Sequence, residues 1–148
     1  MNSHVVLLVD DCIDDVTLTL RAFRKSKLDA EIVVAHDGIE ALDLLLLADP
    51  SLRLYPAVVL LDINMPKMGG LDVLQTLRAD LSTKALPVIM LTGSSDDRDL
   101  IDSYDHGANA YVQKPVDSDE FLEAAKALGV FWLGVNSRPA RVLAYPRG

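Results

Sequence analysis

The segment Ala57-Val58-Val59-Leu60-Leu61 is an unbroken apolar run that ends on an acid, Asp62. It is too short for a buried helix and suits a strand covered on both faces, as in a parallel sheet. Two more segments share this character: His4 to Val9 ends on Asp10 and Asp11, and Pro87 to Leu91 ends on Thr92. Weaker strand signals at Glu31–Ala35 and Ala110–Gln113 complete a predicted set of five, with Glu31–Ala35 expected at an edge. Between the strands, apolar residues recur at helical spacing: Ile13, Val16, Leu20 and Phe23; Leu42, Leu45 and Leu46; Val73, Leu74 and Leu77; Leu100, Ile101, Tyr104 and Ala108. A fifth helix is predicted after Asp117, with Glu120 completing a capping box. Its stripe runs through Phe121, Leu122, Ala125 and Leu128 to Phe131, Trp132 and Val135. Strand and helix alternating five times predict a doubly wound α/β domain with helices on both faces of a parallel sheet.

Composition narrows the function classes. The chain has 148 residues, the length of one domain, with 14 basic and 22 acidic residues and a net charge of −8. An acidic domain has no electrostatic footprint for nucleic acid. Its apolar runs fall well short of the ~20 residues of a membrane span, and the start, Met1-Asn2-Ser3-His4, shows no signal peptide. Cys12 is the only cysteine, which excludes an internal disulfide and fits a reducing cytoplasm. The histidines are expected on the surface, and Cys12 as a small residue at a helix start.

Open parallel sheets bind ligands beyond the carboxyl ends of their strands. The residues leaving these strands are Asp10, Asp11, Asp62, Thr92 and Lys114 followed by Pro115. Alone, Asp10 and Asp11 would be ordinary acids favoured by a helix dipole, and Lys114-Pro115 a turn. Together they put three carboxylates, a hydroxyl and an ammonium on one sheet edge. Two like charges ~4 Å apart cost ~4 kcal/mol at an effective dielectric of ~20, so either a carboxyl stays protonated or a cation binds. Hard oxygen ligands suit Mg²⁺. His4, His36, His106 and Cys12 are too scattered for zinc. A metal beside a carboxylate, faced by a lysine and a hydroxyl, is equipment for transferring a phosphoryl group to that carboxylate.

The motifs that carry these residues are Leu8-Val9-Asp10-Asp11, Leu60-Leu61-Asp62-Ile63-Asn64-Met65-Pro66-Lys67-Met68-Gly69-Gly70, Leu91-Thr92-Gly93, and Gly107-Ala108 leading to Tyr111-Val112-Gln113-Lys114-Pro115. In this order they resemble the receiver domain of two-component response regulators, the CheY-like fold, over residues 4–128. The resemblance implies strand order 2-1-3-4-5 and a phosphorylation-operated switch rather than an enzyme. Asp62 would accept a phosphoryl group from a sensor histidine kinase. Mg²⁺ would be held by Asp11, by Asp10 mainly through water, by Asp62 and by the backbone carbonyl of Asn64. Lys114 would pair with the phosphoryl group, Thr92 would hydrogen-bond it, and Tyr111 would turn inward as Thr92 moves. Pro115 would follow a cis peptide bond. Asn64 and Ser94 would set the phosphoryl lifetime. Asp14, Asp15, Lys67, the connection Ala48–Pro56 and the apolar segment Gly129-Val130-Phe131-Trp132-Leu133 are similar to stand-alone receivers associated with phytochrome-type kinases.

Residues 129–148 are too short for a DNA-binding module, so output is expected through protein contact, with a downstream phosphorelay partner or effector. The extension is read as a continuation of helix five plus a basic tail carrying Arg138, Arg141 and Arg147. Leu128, Phe131, Trp132 and Val135 would form a homodimer seam, unless the tail folds back on its own domain. A phosphorylation-independent dimeric adaptor is an alternative on the same fold. An Mg²⁺-dependent aspartyl-phosphate phosphohydrolase is disfavoured, because Asn64 stands where such an enzyme needs a general acid.

Overall fold

The five apolar segments do form one parallel sheet. The computed structural model describes residues 4–26 and 30–137. Strands β1 (His4–Val9), β2 (Ala30–Ala35), β3 (Val58–Leu61), β4 (Val88–Thr92) and β5 (Ala110–Gln113) pair in the order β2-β1-β3-β4-β5. The second strand, six residues long, lies at an edge as expected. Helices α1 (Ile13–Lys25), α2 (Gly38–Leu45), α3 (Gly70–Ala79), α4 (Asp97–Asp105) and α5 (Ser118–Gly129) alternate with the strands.

Successive strand side chains point to opposite faces, and the apolar runs fill both. Leu7, Val9, Val59, Leu61, Val88 and Met90 pack with Ala41 and Leu45 of α2 and with Val73, Leu74 and Leu77 of α3. Val6, Leu8, Val58, Leu60, Ile89 and Leu91 pack with Val16 and Phe23 of α1. Each such side chain contributes roughly 1.5–3 kcal/mol by leaving water. The continuous apolar runs are therefore what a two-sided core requires. Register then decides where the polar residues emerge. Val9 pairs with both Ala35 and Leu61, and Thr92 with Gln113, so the residues after these strands leave the sheet at one edge.

The opposite edge is tied together by Arg78 in the last turn of α3. Its Nε donates to the Gly107 carbonyl at 2.9 Å, Nη1 to the Leu86 carbonyl at 2.8 Å, and Nη2 to Asn109 Oδ1 at 2.9 Å. Asn109 Oδ1 also accepts from the Val88 amide at 2.8 Å. The starts of β4 and β5 are thus held to α3 through one guanidinium. Gly107 has φ +98°, in the left-handed region open to glycine.

Two expectations are corrected. The apolar stripe of α4 does not face the core: Leu100, Ile101 and Tyr104 are 38%, 58% and 51% exposed, while Ser103 is the buried residue of that helix. Ala108, just past α4, does pack inward. β5 is an edge strand, so no strand lies beyond it to cover the outward part of α4. Second, the α-helical period of α5 stops at Gly129, and Val130–Val135 form a π-helix. The wider turn redistributes the predicted seam. Leu128 and Trp132 pack back against the β1–β3–β4 core beside buried Leu133, whereas Phe131 and Val135 stay exposed. Two of the four predicted seam residues therefore pack on the domain's own core, and two remain exposed. The basic tail carrying Arg138, Arg141 and Arg147 lies outside the described residues.

No helix among the described residues is long and apolar enough to cross a membrane.

Candidate functional site

Asp10 and Asp62 stand side by side because the sheet register continues one residue past each strand. The Asp62 amide donates to the Val9 carbonyl at 3.0 Å, and the Asp10 amide to the Ala35 carbonyl at 3.1 Å. Both side chains are buried. Asp11 follows on the exposed side, and one carboxylate oxygen from each of Asp10, Asp11 and Asp62 lies within 4.8 Å of the others. Lys114 arrives from β5, its amide bonded to the Thr92 carbonyl at 2.7 Å. Its Nζ donates to Asp10 Oδ2 at 2.6 Å, to Asp15 Oδ2 at 2.8 Å and to Asp62 Oδ2 at 3.4 Å.

The charge balance is one-sided, with four carboxylates around one ammonium. Burial raises the Asp10 carboxyl above its usual 3.8, against the pull of its bonds from Lys114 and the Cys12 amide; the charge of Asp62 adds to the rise. Burial alone would depress Lys114. Its bonds to Asp10 and Asp15, with the charges of Asp10 and Asp62, overcome that and hold it above its usual range. Lys114 is therefore a fixed ammonium. Asp62 Oδ1 is buried and has no hydrogen-bond partner among the described residues. A buried carboxylate oxygen without a donor, beside two more carboxylates, is what an added cation or a transferred group would satisfy. The residues fit Mg²⁺.

Thr92 is fully buried at the end of β4, and its Oγ1 accepts from the Ser94 amide at 3.3 Å. Ser94 turns its hydroxyl to α4, donating to Asp99 Oδ2 at 2.6 Å and accepting from the Asp96 amide at 3.2 Å. Tyr111 is partly buried, packs on the α2–α3 side of the core, and donates from its hydroxyl to the Ser94 carbonyl at 3.0 Å. It thereby links β5 to the segment two residues past Thr92. Asn64 is exposed in the loop after β3. Gly70, first residue of α3, lies against the Asp62 backbone and donates its amide to the Ile63 carbonyl at 2.8 Å.

The Lys114–Pro115 peptide is trans, since no cis peptide occurs among the described residues. The expectation of a cis bond is corrected: the lysine reaches three carboxylates with the peptide in the form that X–Pro bonds favour. The site also holds a residue to which sequence reading assigned no role there. Asp15, in the first turn of α1, is a direct partner of Lys114. The available signal was its place in that first turn, just after the β1 exit.

The family description "response regulator receiver domain" matches residues 6–126. The response regulator Rcp1 of Synechocystis sp. (strain ATCC 27184 / PCC 6803 / Kazusa) is 32% identical over 139 residues, covering 92% of this chain and 93% of that protein. A solved structure of Rcp1 is of its Mn(2+)-bound form, with a TM-score of 0.85 at 30% identity over 93% of this chain and 99% of that one. The phosphorylated cyanobacterial phytochrome response regulator RcpA has a TM-score of 0.88 at 30% identity, covering 94% of this chain and 100% of that one. The bacteriophytochrome response regulator AtBRR is 45% identical with a TM-score of 0.70, covering 93% and 100% of the two chains.

Proposed function

The chain belongs to the response regulator receiver family, and from that premise we propose that it is a cytoplasmic switch that takes a phosphoryl group onto Asp62 from a phytochrome-type sensor histidine kinase. The observation that carries this reading is the buried Asp62 carboxylate, one oxygen unpartnered, set between two carboxylates and a fixed ammonium. In the transfer, an Asp62 oxygen forms a bond to phosphorus as the phosphorus–nitrogen bond of a phosphohistidine breaks, and the departing imidazole keeps the electron pair. Asp10, Asp11, Asp62 and the Asn64 carbonyl would hold Mg²⁺, which when bound offsets charge on the phosphoryl oxygens. Lys114 supplies a second positive charge, and Thr92 a hydroxyl donor, since the bond its Oγ1 accepts from the Ser94 amide leaves the O–H free to donate. Asn64 and Ser94 tune how long the acyl phosphate survives.

The output is a population shift between two surfaces. The bond from Tyr111 to the Ser94 carbonyl couples the Thr92 region to α4, whose exposed Leu100, Ile101 and Tyr104 supply an apolar contact face. That face serves a downstream phosphorelay or effector protein. Residues 4–128 act as the switch and 129–148 as an arm for homodimerisation. In the arm Val130, Phe131 and Val135 are exposed, and Phe131 stands edge-on to Trp132 with centroids 5.1 Å apart.

Intact-mass analysis after incubation with a small-molecule phosphodonor tests the proposal. One phosphoryl adduct that requires both Mg²⁺ and Asp62 is expected. An adduct that persists in Asp62→Asn, or failure of the wild-type chain both to form an adduct and to bind beryllofluoride, overturns it.

A further inference from the structure

The Lys114 ammonium has three N–H donors, and three carboxylates claim them. The distances are unequal: 2.6 Å to Asp10, 2.8 Å to Asp15 and 3.4 Å to Asp62. The lysine therefore leans away from the residue it is expected to serve. Asp10 is buried and also accepts from the Cys12 amide at 2.9 Å. Asp15 differs from the other acids in two ways. It lies outside the group of converging oxygens formed by Asp10, Asp11 and Asp62, and its side chain is 28% exposed against 3% for Asp10 and 10% for Asp62.

From this geometry we infer that Asp15 is a positioning residue that parks Lys114 in the resting state and gives it up when Asp62 carries a phosphoryl group. The inference rests on the reading of Asp62 as acceptor. The two short bonds hold the ammonium back from Asp62, which it reaches only at 3.4 Å, so an ammonium that closes on a phosphoryl oxygen there has to give up one of them. Asp15 is the partner whose carboxylate water can reach, so its release is the least costly. Asp10, buried and amide-bonded, would be left with far less compensation. Asp15 thus favours the resting state over the loaded one, and only such a differential contact shifts a two-state equilibrium. Its own negative charge opposes an anion on Asp62 with the same sign. A partly exposed ion pair of this kind corresponds to about a two- to fivefold effect.

The test is a beryllofluoride titration at saturating Mg²⁺, followed by fluorine NMR, on the wild-type chain, Asp15→Asn and Asp15→Glu. Asp15→Asn is expected to bind the phosphoryl mimic about two- to fivefold more tightly, and Asp15→Glu, which keeps the carboxylate, to stay close to wild type. Structural damage would weaken binding, so a tightening is a readout that a merely structural role would not produce. If the wild-type chain binds and Asp15→Asn is unchanged or weaker, the inference fails while the acceptor reading stands. Equal tightening in both variants also overturns it, because the carboxylate would then not be the acting group. If the wild-type chain does not bind the mimic, the acceptor reading fails and takes the inference with it.

Discussion

Replacing Gly70 by alanine should strike the fold and the acceptor together. A Cβ at this position would lie 2.1 Å from the Asp62 carbonyl oxygen and 2.9 Å from both the Asp62 carbonyl carbon and Ile63 Cα. All three are backbone atoms, so no side chain can rotate away. Ordinary contact starts at 3.4 Å, which means that the start of α3 or the Asp62 peptide must move by more than an ångström. Overpacking costs about 1–3 kcal/mol, and losing the Gly70–Ile63 hydrogen bond adds ~0.5–1.5 kcal/mol. Alanine returns at most ~1 kcal/mol through helix propensity. The net loss is about 0.5–3.5 kcal/mol, and with a urea dependence of ~1–3 kcal/mol per molar the midpoint should fall by roughly 1 M. Misplacing a reacting group by ~1 Å can cost ~100-fold in rate, so phosphoryl uptake should fall more steeply than stability. Gly93→Ala is the control: a Cβ there meets nothing within 4 Å, and stability should hold or rise slightly. A Gly70→Ala protein with wild-type urea midpoint and wild-type phosphorylation rate would refute the reasoning.

Asp62→Asn should stabilise the metal-free protein by about 1–3 kcal/mol, because it removes a buried charge and supplies a donor beside Asp10 and Asp11; a lower midpoint without Mg²⁺ would count against the crowded-carboxylate account. Arg78→Ala should cost about 2–4 kcal/mol in denaturant unfolding, since it strips charged donors from the Gly107 and Leu86 carbonyls and from Asn109 Oδ1, with Arg78→Lys recovering only part. Tyr111 should ionise above its usual 10.0, because burial raises it and the charges of Asp99, Asp96 and Asp62 add to that, while its bond to Ser94 opposes. The fold thus favours the neutral phenol. Its stabilising contribution is complete below the unfolded value near 10 and is lost as pH rises through the higher folded value. The ultraviolet phenolate signal missing from Tyr111→Phe should therefore appear late in an alkaline titration, and an early one would contradict the burial of the ring.

Much of this protein is legible in local chemistry. Apolar runs such as Val58–Leu61 and Val88–Leu91 specify two-sided strands whatever their neighbours do, because period and burial are properties of the segment itself. The acids and the lysine at strand ends follow, since a parallel sheet delivers every such end to one edge. The same argument places Asp10, Asp11, Asp62, Thr92 and Lys114 at that edge. Tertiary structure decided what depends on which distant face a side chain meets. Helical spacing marks Leu100, Ile101 and Tyr104 as one stripe of α4, but only the edge position of β5 leaves that stripe in solvent. The same spacing ran Leu128 to Val135 as one seam, and a π-turn, whose wider hydrogen bonds leave no mark in apolar periodicity, divided it. Asp15 and Lys114 are 99 residues apart. An ion pair of that kind is set by where two backbones come to rest after the core has packed, which no window of sequence contains.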